Sequence, residues 1–204
     1  MAGLADNWQS GKIQAGNYGK FYVGLAIPAA GAHVKLASDG TPDSTENPSA
    51  IHVGITEKGT KFTGKPTIQK FYGDEFPYPL KEVITVVEAS FSGNWLQVMD
   101  IDVLAAMTLG MGTRADGAGF QKVNLGSPTA VTYQSCALIF PLESDPTLFG
   151  IFHLYKAVQT AGFDLEVGRK SMATSPFMFD GTGVTTRATT DQVGYICKQL
   201  QVSS

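Results

Sequence analysis

The sequence is poor in cysteine, histidine and charge. Its 204 residues include two cysteines and three histidines, and 16% of them are charged. Two cysteines are too few for a disulfide scaffold, and Cys136 and Cys197 lack a metal-binding spacing, so we expect buried free thiols. His33, His52 and His153 show no paired spacing, which argues against a metal centre. A net charge of −3 without a basic cluster argues against a protein that grips nucleic acid by its phosphates.

The sequence also lacks the features of a targeting or membrane segment. No apolar stretch follows a basic one near its start, and no window approaches the length of a membrane span. We therefore expect a chain that folds in a cytoplasm, without membrane insertion. Its length suits one well-filled core, with arms or long loops around it.

One stretch, GTKFTGKPT at residues 59–67, comes close to a phosphate-binding loop. Gly59, Gly64 and Lys65 match the G-x-x-x-x-G-K-[ST] template. Pro66 stands where the template needs a hydroxyl and a helix-opening N–H, and it disfavours helical backbone at Lys65. The glycines therefore predict a hairpin or a loop, without a nucleotide site.

What is present is a pattern of strands. Residues 1–50 are rich in Gly, Ala and Pro and predict an arm with one strand over 20–25 and a flexible loop after it. Residues 85–95, TVVEASFSGNW, alternate apolar with polar side chains, which is typical of a half-buried antiparallel strand. Further strands are predicted over residues 132–140, 148–156, 162–170, 176–179 and 194–197.

The pattern changes to helical spacing after Asp100, which is a good N-cap. Ile101, Leu104 and Ala105 form one apolar stripe that we expect to pack on the sheet, and Gly110 supplies a stop. The next stretch, GMGTRADGAG, follows a helix and no strand, so we predict a flexible loop there and no dinucleotide site. The predicted fold class is mainly β: an antiparallel sandwich or barrel-like domain over residues 51–204 with one flanking helix.

Catalytic candidates do not converge in the sequence. Cys136 lies within a predicted strand, where an inert core thiol is expected. Asp100 and Asp102 are two positions apart on a helix and face different ways. Asp74 and Glu75, beside the stretch FPYP, predict a solvated loop or a docking element. We predict no catalytic residue, no metal and no cofactor.

The order of four segments resembles a known family. The segments are GKFYVGLAIPAAGAHV, HVGITEKGTKFT, the run from PLKEVITVVEASFSGNW into the predicted helix, and FHLYKAVQTAGFDLEVGRKSMATSPFMFDG. Together they are similar to the major tail tube protein of long-tailed bacteriophages with flexible, non-contractile tails. The family's motif positions are carried here by Gly19, Tyr22, Val23, Gly54, Thr56, Gly59 and Phe62.

The resemblance implies a structural virion protein and no enzyme. Six copies would form a ring, and stacked rings would form the tail tube, assembled in the host cytoplasm, through which DNA leaves the virion. A tape measure protein and a tail terminator are the further partners that it implies. Six copies of a chain with net charge −3 carry about −18, which disfavours phosphate contacts along the channel.

Two sets of residues are candidates for roles in such an assembly. Period-two polar faces predict a channel lining, with ordinary solvent exposure as the alternative, for Glu88, Ser90, Ser92, Asn94, Asp164 and Glu166. Loop positions predict contacts between subunits for Asp39, Asp43, Asp74, Phe76 and Tyr78.

Two other function classes stay open. A carbohydrate-binding or receptor-binding β-sandwich would use Trp8, Trp95 and the Tyr/Phe loop to stack on sugars. An enzyme of unrecognised type would need a convergent cleft.

Overall fold

The computed structural model describes residues 19–54, 56–72, 78–96, 100–108, 112–126, 130–142, 145–162 and 174–200. Its strands are β1 (Lys20–Val23), β2 (Ile51–His52), β3 (Thr56–Tyr72), β4 (Pro79–Trp95), β5 (Gly112–Gly117), β6 (Phe120–Leu125), β7 (Gln134–Leu142), β8 (Asp145–Gln159), β9 (Ser175–Gly181) and β10 (Gly194–Lys198). The described residues also form one α-helix, α1 (Ile101–Met107), and a 3₁₀ turn (Thr189–Asp191). The predicted class, mainly β and antiparallel with one helix, is confirmed.

The main sheet folds over on itself around one core. Its strands are ordered β2-β1-β7-β8-β9-β4-β3, with β10 also paired to β8, and every pairing is antiparallel. The ring of Phe21 on β1 nevertheless lies 5.2 Å from the rings of Phe91 on β4 and Phe177 on β9. Strands far apart in the order therefore meet face to face, as in a sandwich.

Strand β4 follows the predicted alternation. Ala89, Phe91 and Trp95 are buried in the core, while Ser90 and Ser92 between them are partly exposed. The strand is longer than predicted, because it begins at Pro79 and pairs with β3 along almost its whole length. The strands predicted in the second half of the chain match β7, β8, β9 and β10, and residues 163–170 lie outside the described residues.

Residues 25–50 form an outer layer on the sheet and not the predicted arm. Leu25, Val34 and Leu36 are buried against β1, β7 and β8, on the face opposite the main core. A Cβ at Gly40 would come within 2.2 Å of the Phe149 ring, so only glycine fits at this contact. The prediction of an arm with a flexible loop over this stretch is wrong. The few apolar residues are separated by turns, so no periodic pattern marked them.

Helix α1 is present, and Asp100 caps it as predicted. The Asp100 carboxylate accepts hydrogen bonds from the N–H groups of Asp102 and Val103. The fully buried positions are Val103 and Met107. The predicted stripe differs from this: Leu104 packs on the core but is only partly buried, and Ile101 and Ala105 are also partly exposed. The prediction that Ile101, Leu104 and Ala105 form the packing face of the helix is therefore only partly correct.

Two glycine-rich stretches form strands: residues 59–67, where a hairpin or a loop was predicted, and residues 112–117, where a flexible loop was predicted. Residues 59–67 lie within β3, which continues past Pro66, so the extended backbone there provides no helix N-terminus. Gly59 has a φ of 82° at a register shift, which explains the need for glycine. Residues 112–125 form the hairpin β5–β6, turning at Gly119 with a φ of 79°. Arg114 ties this hairpin to the helix through an ion pair with Asp102.

The buried helix residue Met107 should contribute more to stability than the exposed-side residue Ile101. Met107→Ala should lower the free energy of unfolding by about 2 to 5 kcal/mol, because it leaves a cavity in the core. Ile101→Ala is the matched control and should cost less, since Ile101 is only partly buried. Urea unfolding of both variants measures the difference, and equal losses would contradict the burial of the Met107 face.

Candidate functional site

The titratable side chains do not build a catalytic centre in the described part of the chain. No three His, Cys, Asp or Glu side chains among the described residues are placed to hold a metal ion. His33 lies in the outer layer, His52 on β2 against the ring of Tyr22, and His153 is buried on β8. Asp100 caps the helix and Asp102 pairs with Arg114, so neither is poised for proton transfer.

Both thiols are held in their protonated form. Cys136 is fully buried on β7, and burial raises the pKa of its thiol well above the usual range. Cys197 on β10 is partly exposed, and burial raises the pKa of its thiol as well. Because the thiolate is the reactive form, neither cysteine has the environment of a nucleophile.

The feature that stands out is a long ribbon formed by the outer halves of β3 and β4. Strand β9 pairs with β4 only from Ser90 to Trp95, whereas β3 pairs with β4 as far as Tyr72 and Pro79. Beyond Ala89, the described residues give this pair no third strand. Among the described residues, 64–72 and 79–88 therefore pair only with each other, and we call this two-stranded segment the ribbon.

One face of the ribbon carries an exposed apolar cluster, which ends at the ion pair between Lys70 and Glu82. The register places Ile68 opposite Ile84 and Pro66 opposite Val87, on the same face as the buried Phe91. Ile68, Ile84 and Val87 are 48%, 61% and 51% exposed. The apolar stripe of the core thus continues along the ribbon after the layer that covers it has ended. Further exposed apolar side chains lie towards the ribbon's tip: Phe71, Tyr72, Tyr78 and Leu80.

The ribbon would gain stability if its exposed apolar residues were covered. Isolated hairpins are marginally stable in water, and burial of a large apolar side chain contributes about 1.5 to 3 kcal/mol. Exposed apolar patches of this kind mark sites of protein association. The ribbon's apolar face is therefore the candidate functional site.

The predicted channel residues that the structure describes lie together on the polar face of β4. Glu88, Ser90, Ser92 and Asn94 share one face of β4. Across the ladder, β3 adds Lys61 and Lys65 to this face and β9 adds Met178 and Asp180. Asp180 accepts a hydrogen bond of 2.6 Å from the hydroxyl of Thr160.

The sequence prediction missed the two lysines on this face. Lys65 lies opposite Glu88, and Lys61 lies opposite Ser92. The described face therefore carries charges of both signs and is no wall of carboxylates. The signal was available, since Lys61 and Lys65 are two period-two steps apart, but the stretch was interpreted as a hairpin turn or loop.

The predicted assembly residues lie in different parts of the structure. Asp39 and Asp43 hold turns of the outer layer: their carboxylates accept hydrogen bonds from Thr41 and Thr45, and these bonds lower both pKa values. Tyr78 is 77% exposed at the ribbon's tip. The other predicted residues lie outside the described residues: Asp74, Phe76, Asp164 and Glu166.

The sequence matches no family model and no curated protein. No helix in the described ranges has the length and apolar character that a membrane span needs.

Thiol labelling tests the environment of the cysteines. In the native protein Cys197 should react slowly with a disulfide reagent, and Cys136 should react only on unfolding, because it is completely buried. The Cys197→Ser variant isolates Cys136, and the Cys136→Ser variant isolates Cys197. Rapid native labelling of the Cys197→Ser variant would contradict the buried position of Cys136.

Proposed function

We propose that the protein is a self-assembling structural subunit, with six copies forming rings that stack into the tail tube of a long-tailed, non-contractile bacteriophage. The observation that carries the proposal is the apolar face of the ribbon, which a subunit of an assembly would bury and a monomer would leave in water. The tube, the sixfold ring and the virion come from the sequence resemblance. The tape measure protein and the tail terminator remain partners implied by that resemblance alone.

The covering partner in this proposal is a second copy of the same chain. The ribbon continues β3 and β4 beyond Ser90, the last residue of β4 that pairs with β9, so its apolar cluster is available to a neighbour. Ile68, Ile84 and Val87 would then be buried against a neighbour, and three such side chains contribute several kcal/mol. This amount is enough to favour association once it is repeated around a closed ring.

The polar face suits a channel wall. Ser90 and Ser92 offer short hydroxyls, and Lys65 lies opposite Glu88, so charges of both signs alternate across the ladder. A wall without a basic cluster provides few sites for phosphate groups. The net charge of −3 for each chain adds a general repulsion of DNA.

One of the aromatic residues that the carbohydrate-binding alternative needs is buried. Trp95 is 1% exposed in the core and does not present a face to a sugar. Trp8 lies outside the described residues. The exposed tyrosines of the ribbon, Tyr72 and Tyr78, stand beside apolar residues, as expected for a contact between proteins.

Removing the apolar face of the ribbon should abolish assembly without unfolding the domain. The double variant Ile68→Ser/Ile84→Ser should remain folded by circular dichroism, because both side chains are exposed in the single chain. In size-exclusion chromatography and negative-stain microscopy it should stay monomeric where the wild-type chain forms rings or tubes.

The matched control changes the other face of the ribbon. Gln69→Ser/Lys81→Ser alters two exposed positions on the same strands and should leave assembly intact. A wild-type chain that stays monomeric at high concentration would contradict the proposed function. Assembly of the Ile68→Ser/Ile84→Ser variant would show that the ribbon is not the contact.

A charge reversal tests the channel wall. Glu88→Lys removes the carboxylate opposite Lys65, so assembled tubes should retain DNA at low salt and release it as the salt concentration rises. Glu46→Lys makes the same charge change in the outer layer, on the other side of the domain, and should have no such effect. Equal DNA retention by the two variants would place Glu88 outside the channel.

A further inference from the structure

A polar and aromatic cluster joins the outer layer (residues 25–50) to the main sheet. Its members come from β7, β8, β10 and the segment around the 3₁₀ turn, and no part of it belongs to the ribbon. We call this cluster the clasp. It consists of Ser135, His153, Tyr155, Arg187, Asp191 and Tyr195.

His153 lies at the centre of the clasp and is 1% exposed. Its Nε2 is 2.6 Å from the hydroxyl oxygen of Ser135. The rings of Tyr155 and Tyr195 stand edge-on to the imidazole, with centroids at 5.3 and 5.1 Å. Among the described residues, Nδ1 has no hydrogen-bond partner. This arrangement suits a neutral imidazole with its hydrogen on Nε2 and a bare Nδ1.

Two side chains of the clasp reach the outer layer. The hydroxyl of Tyr195 accepts a hydrogen bond of 2.7 Å from the N–H of Val34. The guanidinium of Arg187 donates to the carbonyl oxygen of Pro28. Arg187 is positioned by an ion pair of 2.6 Å with Asp191 and by stacking 3.9 Å above the Tyr155 ring. Both attachments therefore depend on tyrosine rings that pack against His153.

Among the described residues, no hydrogen bond or ion pair joins the His153 ring to a carboxylate. Tyr155 comes from its own strand β8, Ser135 from β7, and Tyr195 with the thiol of Cys197 from β10. The segment 187–191 brings Arg187 and Asp191, which already pair with each other, and Asp191 also accepts a 2.5 Å hydrogen bond from Tyr155. From the outer layer, the clasp contacts backbone groups: the N–H of Val34 and the carbonyl oxygen of Pro28.

We infer that the clasp is an acid-sensitive fastening that releases the outer layer when His153 is protonated. A proton on Nδ1 would create a buried cation without a hydrogen-bond acceptor, next to the positive charge of Arg187. Opening the outer layer admits water to the ring. Water then accepts the hydrogen bond from Nδ1 and screens the charge of Arg187. The core between β4, β9 and α1 contains no histidine among its buried residues and stays closed.

The sign of the pH dependence follows from the two states of His153. Burial first, and Arg187 second, lower the pKa of His153 from 6.5 to about 3 in the closed form. The open form titrates near the ordinary value and binds the proton more tightly. Opening therefore becomes more favourable as the pH falls below about 6.5, and the effect ends near pH 3. One proton taken up corresponds to about a tenfold rise in the opening constant per pH unit.

Hydrogen exchange of the full chain measures this opening. Between pH 6.5 and 5, after correction for intrinsic exchange, protection of the Val34 amide should fall about 16-fold in total, and the slope should approach tenfold per pH unit only at the lower end. Amides of β9, such as Phe177, should keep their protection. This window avoids the carboxylates, which titrate at lower pH in the unfolded chain.

Two histidine variants separate the clasp from general acid effects. His153→Gln retains a side chain that can bond to Ser135 but cannot take up the proton, so the pH dependence of Val34 protection should disappear. His33→Gln, at an exposed position in the outer layer, should leave that dependence unchanged. His52→Gln should also leave it unchanged, although burial lowers the pKa of His52.

A measurement on the unaltered chain guards against a variant that fails to fold. The ring carbon signals of His153 in NMR spectra should show a neutral imidazole in the closed form down to pH 5. Titration of this ring near pH 6.5 with the Val34 amide still protected would overturn the inference. Equal loss of protection in the outer layer and in β9 would also overturn it, because opening would then be global.

Discussion

Burial of both faces of β7 and β8 is the constraint on which the rest of the structure depends. Leu138 and Leu154 point into the main core, while Ile139 and Ile151, which lie an odd number of positions away on the same strands, point to the outer layer. A strand with two buried faces requires cover on each side. The folded-over half of the sheet and α1 cover one side, and residues 25–50 cover the other.

This double burial explains which parts of the fold were visible in the sequence. The alternation in residues 85–95 and the cap at Asp100 are local signals, so β4 and α1 were predicted near their true positions. The outer layer has no local signal, because Val34 and Leu36 are scattered among turn residues and become apolar contacts only against β7 and β8. The burial of Val34 and Leu36 therefore depends on the tertiary fold and is not visible in a local stretch of sequence.

The candidate site was predictable only in part, for a similar reason. A period-two pattern shows that Glu88 and Ser90 share a face, but the strand pairing decides that Lys61 and Lys65 join them. Likewise, Ile68 and Val87 look like core residues in any window of sequence. Their exposure appears only in the folded chain, where Ile68 and Val87 are 48% and 51% exposed.

The ribbon also ends the sheet on one side, and its free edge limits how the chain can aggregate. Strand β3 has neighbours on one side only among the described strands, and 17 residues of open edge would ordinarily recruit further strands without limit. Pro66 has no N–H to offer, and lysines at positions 61, 65 and 70 repel an identical edge. Three register shifts along the pairing with β4 increase the local twist. An edge of this kind disfavours the endless backbone ladder of a fibre.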